Sequence, residues 1–274
     1  MNLFSLLCRW FRWWCPKPPV VPAVPLVPVP SCAHGCVIHR GSQGEIDGLK
    51  ALGVTLARST FYTAQDLSTS TYRAAFGARL LALDAAGIES LIVVHDFPTW
   101  ADVVPMMVSL TASFPNRTWQ VGNEWDAQPW SFCHTGSQYA VLMQQVITAC
   151  PGVSFAGMGL ATTPAGDAAR WTAFAESYFA SSHPTLEAWC IHAYADVPGQ
   201  VATMQSTLLN RFPLWITEYN QVPIPSFAAL GVSRAYWYCY WDAGGPQGLV
   251  NADDSHRPAW EAVRAILTLT GNHP

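Results

Sequence analysis

The chain has 274 residues, 50% of them hydrophobic and only 12% charged, with a formal net charge of −4. That length supports one large core, the size of an αβ barrel of about 250 residues plus an appendage. No basic stripe exists, so nucleic acid is a poor fit as a partner. The 13 Trp, 9 Tyr and 12 Phe fill a core first; some can line a cleft as flat platforms suited to sugar rings.

Residues 1–15 read MNLFSLLCRWFRWWC. Arg9 and Arg12 interrupt the apolar run and leave it too short to span a bilayer. It has neither the basic start nor the small-residue cleavage site of a signal peptide. Trp10, Phe11, Trp13 and Trp14 around the two arginines fit an interfacial helix that tethers the chain to a membrane or particle; they fit a docked tail equally. Residues 16–31 follow as a linker, with seven prolines between Pro16 and Pro30. Such a segment is an extended spacer of about 45 Å. An extracellular, envelope or particle location is favoured. Residues 32–274 form the globular domain, expected as a monomer.

From Ala33 onward, β-prone apolar runs alternate with helix-forming stretches. Strands are expected near 33–39, 54–60, 90–96, 117–124, 154–161, 188–195, 213–220 and 233–242. Helices are expected over 44–52, 71–87, 101–114, 136–149, 167–181, 199–211, 225–230 and 257–269. Runs such as Leu91-Ile92-Val93-Val94 are apolar on both faces, as parallel strands between a core and helices must be. Ser68-Thr69-Ser70 and Ser137 mark helix starts, and Gly87 marks a helix end. Eight strand–helix units imply an α/β fold, a single (β/α)8 TIM barrel with an N-terminal Pro-rich extension.

Cys32, His34, Cys36 and His39 fall within eight residues. Zinc sites usually combine two separated ligand pairs, so these read as core thiols or a local disulfide, and no metal or other cofactor is expected. Residues two apart on a strand share a face. On that rule Glu218 goes with Ile216, His192 and Tyr194 with Cys190, and Trp241 with Cys239 and Trp237. Cys190 and Cys239 are then neighbouring core thiols.

A parallel barrel assembles its site from strand C-terminal ends. Here those ends supply Arg58, His95-Asp96, Asn123-Glu124, His192 and Tyr194, Glu218, and Trp237 to Trp241. Two glutamates close apolar runs, Val121-Gly122-Asn123-Glu124 and Trp215-Ile216-Thr217-Glu218. A pair of carboxylates is the minimum equipment for cleaving a glycosidic bond. Asp96 reads as a cap for the following segment, and Asp253 and Asp254 as turn residues.

These pieces resemble the clan A glycoside hydrolases, retaining barrel glycosidases with glutamates after strands four and seven. The matching motifs are Gly122-Asn123-Glu124, His192-Ala193-Tyr194, Thr217-Glu218 and the aromatic run Tyr236 to Trp241. The likeness covers about residues 33–270 and leans toward small β-1,3-glucanase-like members. It implies that Glu124 is the acid/base, its pKa raised by burial beside Trp125, and that Glu218 is the nucleophile. It implies that Arg58 and Tyr194 hydrogen-bond Glu218 and that Asn123 meets the sugar 2-hydroxyl. It further implies that His192 lines the acid side, with Trp237 or Trp241 as the stacking floor; His95, read from its strand end, fits a substrate contact and a satisfied core histidine equally. The expected reaction is retaining, endo-acting hydrolysis of a neutral β-glucan-type polysaccharide or oligosaccharide. The alternatives are a catalytically inactive glycan-binding barrel and an envelope- or virion-associated depolymerase.

Overall fold

The computed structural model describes residues 32–269 except 40, 128–130, 132, 163–166, 195, 209–210, 221–225, 242–246, 252 and 254. The segments 1–15 and 16–31, and Asp254, lie outside the described residues. The chain order is β1 (Ala33–Ile38), α1 (Gln43–Leu52), β2 (Leu56–Phe61), α2 (Thr63–Ser68), α3 (Tyr72–Ala85), β3 (Glu89–Val94) and α4 (Trp100–Ser113). Then come β4 (Thr118–Val121), α5 (Gly136–Ala149), β5 (Ser154–Ala156), β6 (Gly159–Leu160), α6 (Asp167–Ala180) and β7 (Trp189–His192). The last elements are α7 (Val197–Leu208), β8 (Leu214–Tyr219), β9 (Val232–Trp237) and α8 (Pro258–Leu269).

The strands pair in parallel in the order β5-β4-β3-β2-β1-β9-β8-β7-β6. The two ends of that series, β5 and β6, are separated in the chain only by Gly157 and Met158. They are two halves of one stave: β5 pairs with β4, β6 with β7, and Gly157 N–H donates to the Ala188 carbonyl at 2.9 Å between them. The sheet therefore closes into a (β/α)8 barrel.

Closure sorts the side chains into two layers, as strands apolar on both faces require. Val37, Leu56, Leu91, Ala156, Cys190, Trp215, Tyr236 and Cys239 fill the barrel interior. Ile38, Ala57, Ile92, Val94, Trp119, Val121, Ile191 and Ile216 face outward and pack against helix residues such as Leu49, Phe76, Leu110 and Met143. Among the described residues, no helix is long and apolar enough to cross a membrane.

Local devices shape the staves. Gly87 ends α3 with φ 73° and N–H donation to the Asp84 carbonyl at 2.9 Å, a left-handed position that favours glycine. The start of α5 is set by a capping box of Thr135 and Gln138 rather than by Ser137, and α3 begins after Thr71 rather than at Ser68 to Ser70. The helix expected over 225–230 is a turn where described, with Leu230 N–H reaching the Ser226 and Phe227 carbonyls. Short α2 was not expected. Asp96 reaches back from the end of β3 to accept the Thr63 N–H at 2.8 Å and the Ala64 N–H at 3.3 Å. It thus caps α2 rather than the segment after β3. Asp253 accepts the Ser255 N–H at 3.0 Å in a turn.

Strict alternation fails in β8. Trp215 faces the interior and Ile216 the outer layer, so period two would turn Glu218 outward with Ile216. The register slips instead. Ile191 pairs with Ile216 but His192 pairs with Glu218, and Ile216 pairs with Ala235 but Tyr219 with Trp237. The extra residue is a β-bulge, which reverses the facing of the residues beyond it. Glu218 therefore does not share a face with Ile216. Nor does Trp237 share one with Cys239: Trp237 lies in the outer layer, edge-on to Tyr219 at 5.4 Å.

Among the described residues no disulfide forms; Cys32, Cys36, Cys133, Cys150, Cys190 and Cys239 are buried thiols. Cys190 and Cys239 share the interior cluster. Burial pushes the Cys190 thiol up to about 12, which leaves it inert at neutral pH. Cys8 and Cys15 lie outside the described residues.

His34 on β1 is 5% exposed beside Phe227. Burial lowers it from 6.5 to about 4. The folded chain thus holds it neutral while the unfolded chain protonates it below 6.5. Its stabilisation is complete above 6.5 and is lost as pH falls toward 4. Between pH 7 and 4, denaturant titrations are expected to show the wild type losing about 3 kcal/mol more than His34→Leu. Equal losses would contradict this.

Candidate active site

The interior apolar cluster ends below a layer of polar side chains at the C-terminal mouth. Its centre is Arg58 from β2, 2% exposed. Arg58 Nη1 donates to Glu218 Oε1 at 2.6 Å, Nη2 to Asn123 Oδ1 at 2.6 Å and Nε to Gln120 Oε1 at 3.2 Å. Gln120 in turn donates through Nε2 to the Gly122 carbonyl at 3.2 Å. Tyr194 donates its hydroxyl to the other Glu218 oxygen, Oε2. Burial and the Glu218 charge push the Tyr194 phenol far up, so it keeps its proton and stays a donor. A guanidinium and a phenol on one carboxylate fit its ionised form.

Glu124 sits just past β4 on a backbone that leaves the strand abruptly. Gly122 has φ 91° and donates its N–H to the Val94 carbonyl at 2.8 Å. Glu124 itself has φ 55°, a left-handed value disfavoured for a residue with a Cβ. Its N–H donates to the Gly159 carbonyl at 2.8 Å. Trp125 turns away: it is buried against Phe97, and its Nε1 donates to the His95 carbonyl at 3.1 Å. The neighbour of the Glu124 carboxylate is His192, whose Nδ1 lies 2.9 Å from Glu124 Oε1. The fully buried His192 ring also brings Nε2 within 3.4 Å of Glu218 Oε1.

One oxygen from each glutamate and a ring nitrogen of His192 all lie within 4.8 Å of one another. Gly159 makes this packing feasible. A Cβ there would come within 2.3 Å of His192 Nε2 and 3.0 Å of Gln120 Nε2. The break in the fifth stave thus falls where the histidine needs room.

The remaining residues read from the sequence divide. His95 is half-buried at the mouth beside Tyr62, 6.2 Å between rings. Burial lowers it, against an opposing pull from Asp96. Trp237 is 2% exposed, with Nε1 donating to the Gln247 carbonyl at 3.2 Å; the fold does not bring it to the cleft. Trp241 is half-buried and packs against the outer layer. Tyr238 is half-buried, packs on the interior cluster and lies edge-on to His39 at 5.8 Å and, at 6.1 Å, to Tyr194, the phenol that bonds Glu218. Burial first, then Cys239 and Glu218, push its phenol up to about 12. Cys32, His34, Cys36 and His39 do not converge; Glu124, His192 and Glu218 are the group with metal-ligand spacing among the described residues.

Neither Gln120 nor Gly159 is named from the sequence, and Tyr238 enters only as part of the run Trp237 to Trp241. Gln120 carried a usable signal, a polar residue inside the apolar run Thr118-Trp119-Gln120-Val121. Tyr238 carried no signal of its own, because it lies in a row of six consecutive aromatic or thiol residues, Tyr236 to Trp241, whose facing changes within the run.

No family model matches the sequence, and no curated protein matches it. Solved structures do match in fold. A β-mannanase from Thermomonospora fusca, in complex with mannotriose, is 13% identical over 85% of this chain and 88% of its own, with a TM-score of 0.63. A β-mannanase from Streptomyces thermolilacinus, with mannohexaose, is 16% identical over 85% of this chain and 88% of its own, with a TM-score of 0.62. A glucosidase from Croceicoccus marinus is 15% identical over 82% of this chain, with a TM-score of 0.61, and the chain spans 63% of that protein's length. At these identities the likeness is one of fold: the chain has the barrel architecture of these proteins.

Proposed function

We propose that the chain is a retaining glycoside hydrolase, with Glu218 as nucleophile and Glu124 as acid/base. The observation that carries this reading is the approach of the two carboxylates within 4.8 Å at the barrel mouth. Retaining enzymes hold their carboxyls about 5–5.5 Å apart, whereas inverting ones leave about 6.5–9.5 Å for a water. In the first step Glu218 attacks the anomeric carbon as Glu124 gives its proton to the departing oxygen. In the second, Glu124 takes a proton from water, whose oxygen displaces Glu218 and restores both side chains. Arg58 and Tyr194 hold the nucleophile in place between the steps.

The substrate reading is endo-acting hydrolysis of a neutral glucan- or mannan-type chain. Half-buried Tyr194 and Tyr238, with Tyr62 and His95 nearby, offer rings and hydroxyls rather than a cationic pocket. The mannanase neighbours were solved with mannotriose and mannohexaose, which are neutral oligosaccharides.

A panel of β-glucans, mannans and their oligosaccharides, tested with wild type, Glu124→Gln and Glu218→Gln, checks the assignment. Each variant is expected to lose about 1,000-fold in kcat/KM on any glycan of that panel which the wild type cleaves. Full activity in both would overturn it, and binding without cleavage by the wild type would make the chain a glycan-binding barrel. On the same substrate Tyr238→Ala is expected to lower kcat/KM about tenfold, while Trp237→Phe stays within about threefold. A reversed order would return the stacking role to Trp237.

A further inference from the structure

The turn that carries Glu124 is braced by an ion pair whose carboxylate is buried and whose arginine is part-exposed. Asp126 lies two residues past Glu124, and its side chain has 0% exposure. Its Oδ1 accepts the Ala161 N–H at 2.9 Å and its Oδ2 accepts Arg170 Nε at 2.7 Å. Arg170, on α6, also donates through Nη2 to the Ala161 carbonyl, and Trp171 Nε1 donates to the same carbonyl at 2.9 Å. Both backbone polar groups of Ala161 are thus taken by side chains from the Glu124 turn and from α6.

Ala161 belongs to a stretch that touches the acid side of the cleft at each residue but Leu160. Gly159 accepts the Glu124 N–H at 2.8 Å and leaves room for the His192 ring. Thr162 donates to the His192 carbonyl. The turn itself closes by Ala127 N–H donating to the Glu124 carbonyl at 3.1 Å. Glu124 therefore holds a disfavoured backbone in a turn whose fastenings include Gly159 and Asp126. Burial raises the Asp126 carboxyl, while Ala161 and Arg170 pull it back. The charged state of the brace thus depends on both partners.

We propose that Asp126 and Arg170 act as a clamp that positions Glu124 for proton transfer. The inference rests on the acid/base reading of Glu124. Glu218 has bonds that do not pass through the clamp, from Arg58 on β2, which also reaches Asn123, and from Tyr194 beyond β7. Loosening the clamp therefore displaces the proton donor and leaves the nucleophile seated. Displacements of about 1 Å at a reacting group cost on the order of 100-fold in rate.

Two aryl glycosides of one sugar separate the steps. A 2,4-dinitrophenolate leaves without a proton; a phenolate from the phenyl glycoside needs one. Asp126→Ala is expected to lower kcat/KM on the phenyl glycoside about 10- to 100-fold and to leave the dinitrophenyl glycoside within about threefold. Release of the sugar from Glu218 still needs the base, so kcat on the dinitrophenyl glycoside is expected to fall in Asp126→Ala, and azide, which needs no general base, is expected to restore it. Asp126→Asn keeps an acceptor for Ala161 without the charge, and Arg170→Lys keeps the charge without the fork; both are expected to fall between wild type and Asp126→Ala. Equal loss on both glycosides, or loss on neither, overturns the clamp. Glu124→Gln turning over the phenyl glycoside like wild type would instead sink the acid/base reading. Amide exchange tests the clamp with no substrate. At Ala161 and Glu124 it is expected to be about tenfold faster in Asp126→Ala, and unchanged protection there overturns the proposal by itself.

Discussion

A guanidinium sealed in the middle of a barrel has to be paired, and Arg58 is 2% exposed. Its three hydrogen-bond partners come from three places: Gln120 on β4, Asn123 just beyond it and Glu218 on β8. Removing one partner of a buried pair strands the other charge at about 3–5 kcal/mol. The apolar plug below, from Val37 to Tyr236, excludes water from this layer. Staves on opposite sides of the barrel are thereby held to one register at the mouth. The same bonds leave Glu218 with a fixed carboxylate facing the opening.

Regular barrel geometry alone would not deliver that arrangement. Alternation along β8 turns position 218 outward, and the bulge beside it turns the carboxylate back in. A regular fifth stave would carry a side chain where the His192 ring lies, and Gly159 removes it. A relaxed turn after β4 would not hold Glu124 at φ 55°. These three departures from ideal geometry occur within reach of the two glutamates, and each brings a carboxylate or the histidine between them into place. Departures of this kind gather where a site is assembled.

Much of the barrel was legible because its alternation is written in composition. Double-faced apolar runs such as Leu91-Ile92-Val93-Val94 identify parallel strands, and the observed strands fall inside or within a residue or two of the stretches read from the sequence. Strand ends were legible for the same reason: polar residues closing apolar runs brought Arg58, Asn123, Glu124, His192, Tyr194 and Glu218 into one group, and the fold gathers them at one mouth. The features that escaped depended on facing. A bulge changes parity without changing composition, so strict alternation puts Ile216 with Glu218. The run Tyr236-Trp237-Tyr238 is aromatic on both faces, so composition favours the larger indole over the phenol that lies edge-on to Tyr194. Asp126 and Arg170 are 44 residues apart, and no periodicity links them.

Two carboxylates this close are proposed to act through a covalent intermediate on Glu218. Proton NMR of the anomeric signals during early hydrolysis reads that directly, before mutarotation mixes the products. The configuration of the cleaved bond is expected to be kept in the first-formed sugar. An inverted first product would contradict the account, because it requires a water between Glu124 and Glu218 and carboxyls about 6.5–9.5 Å apart.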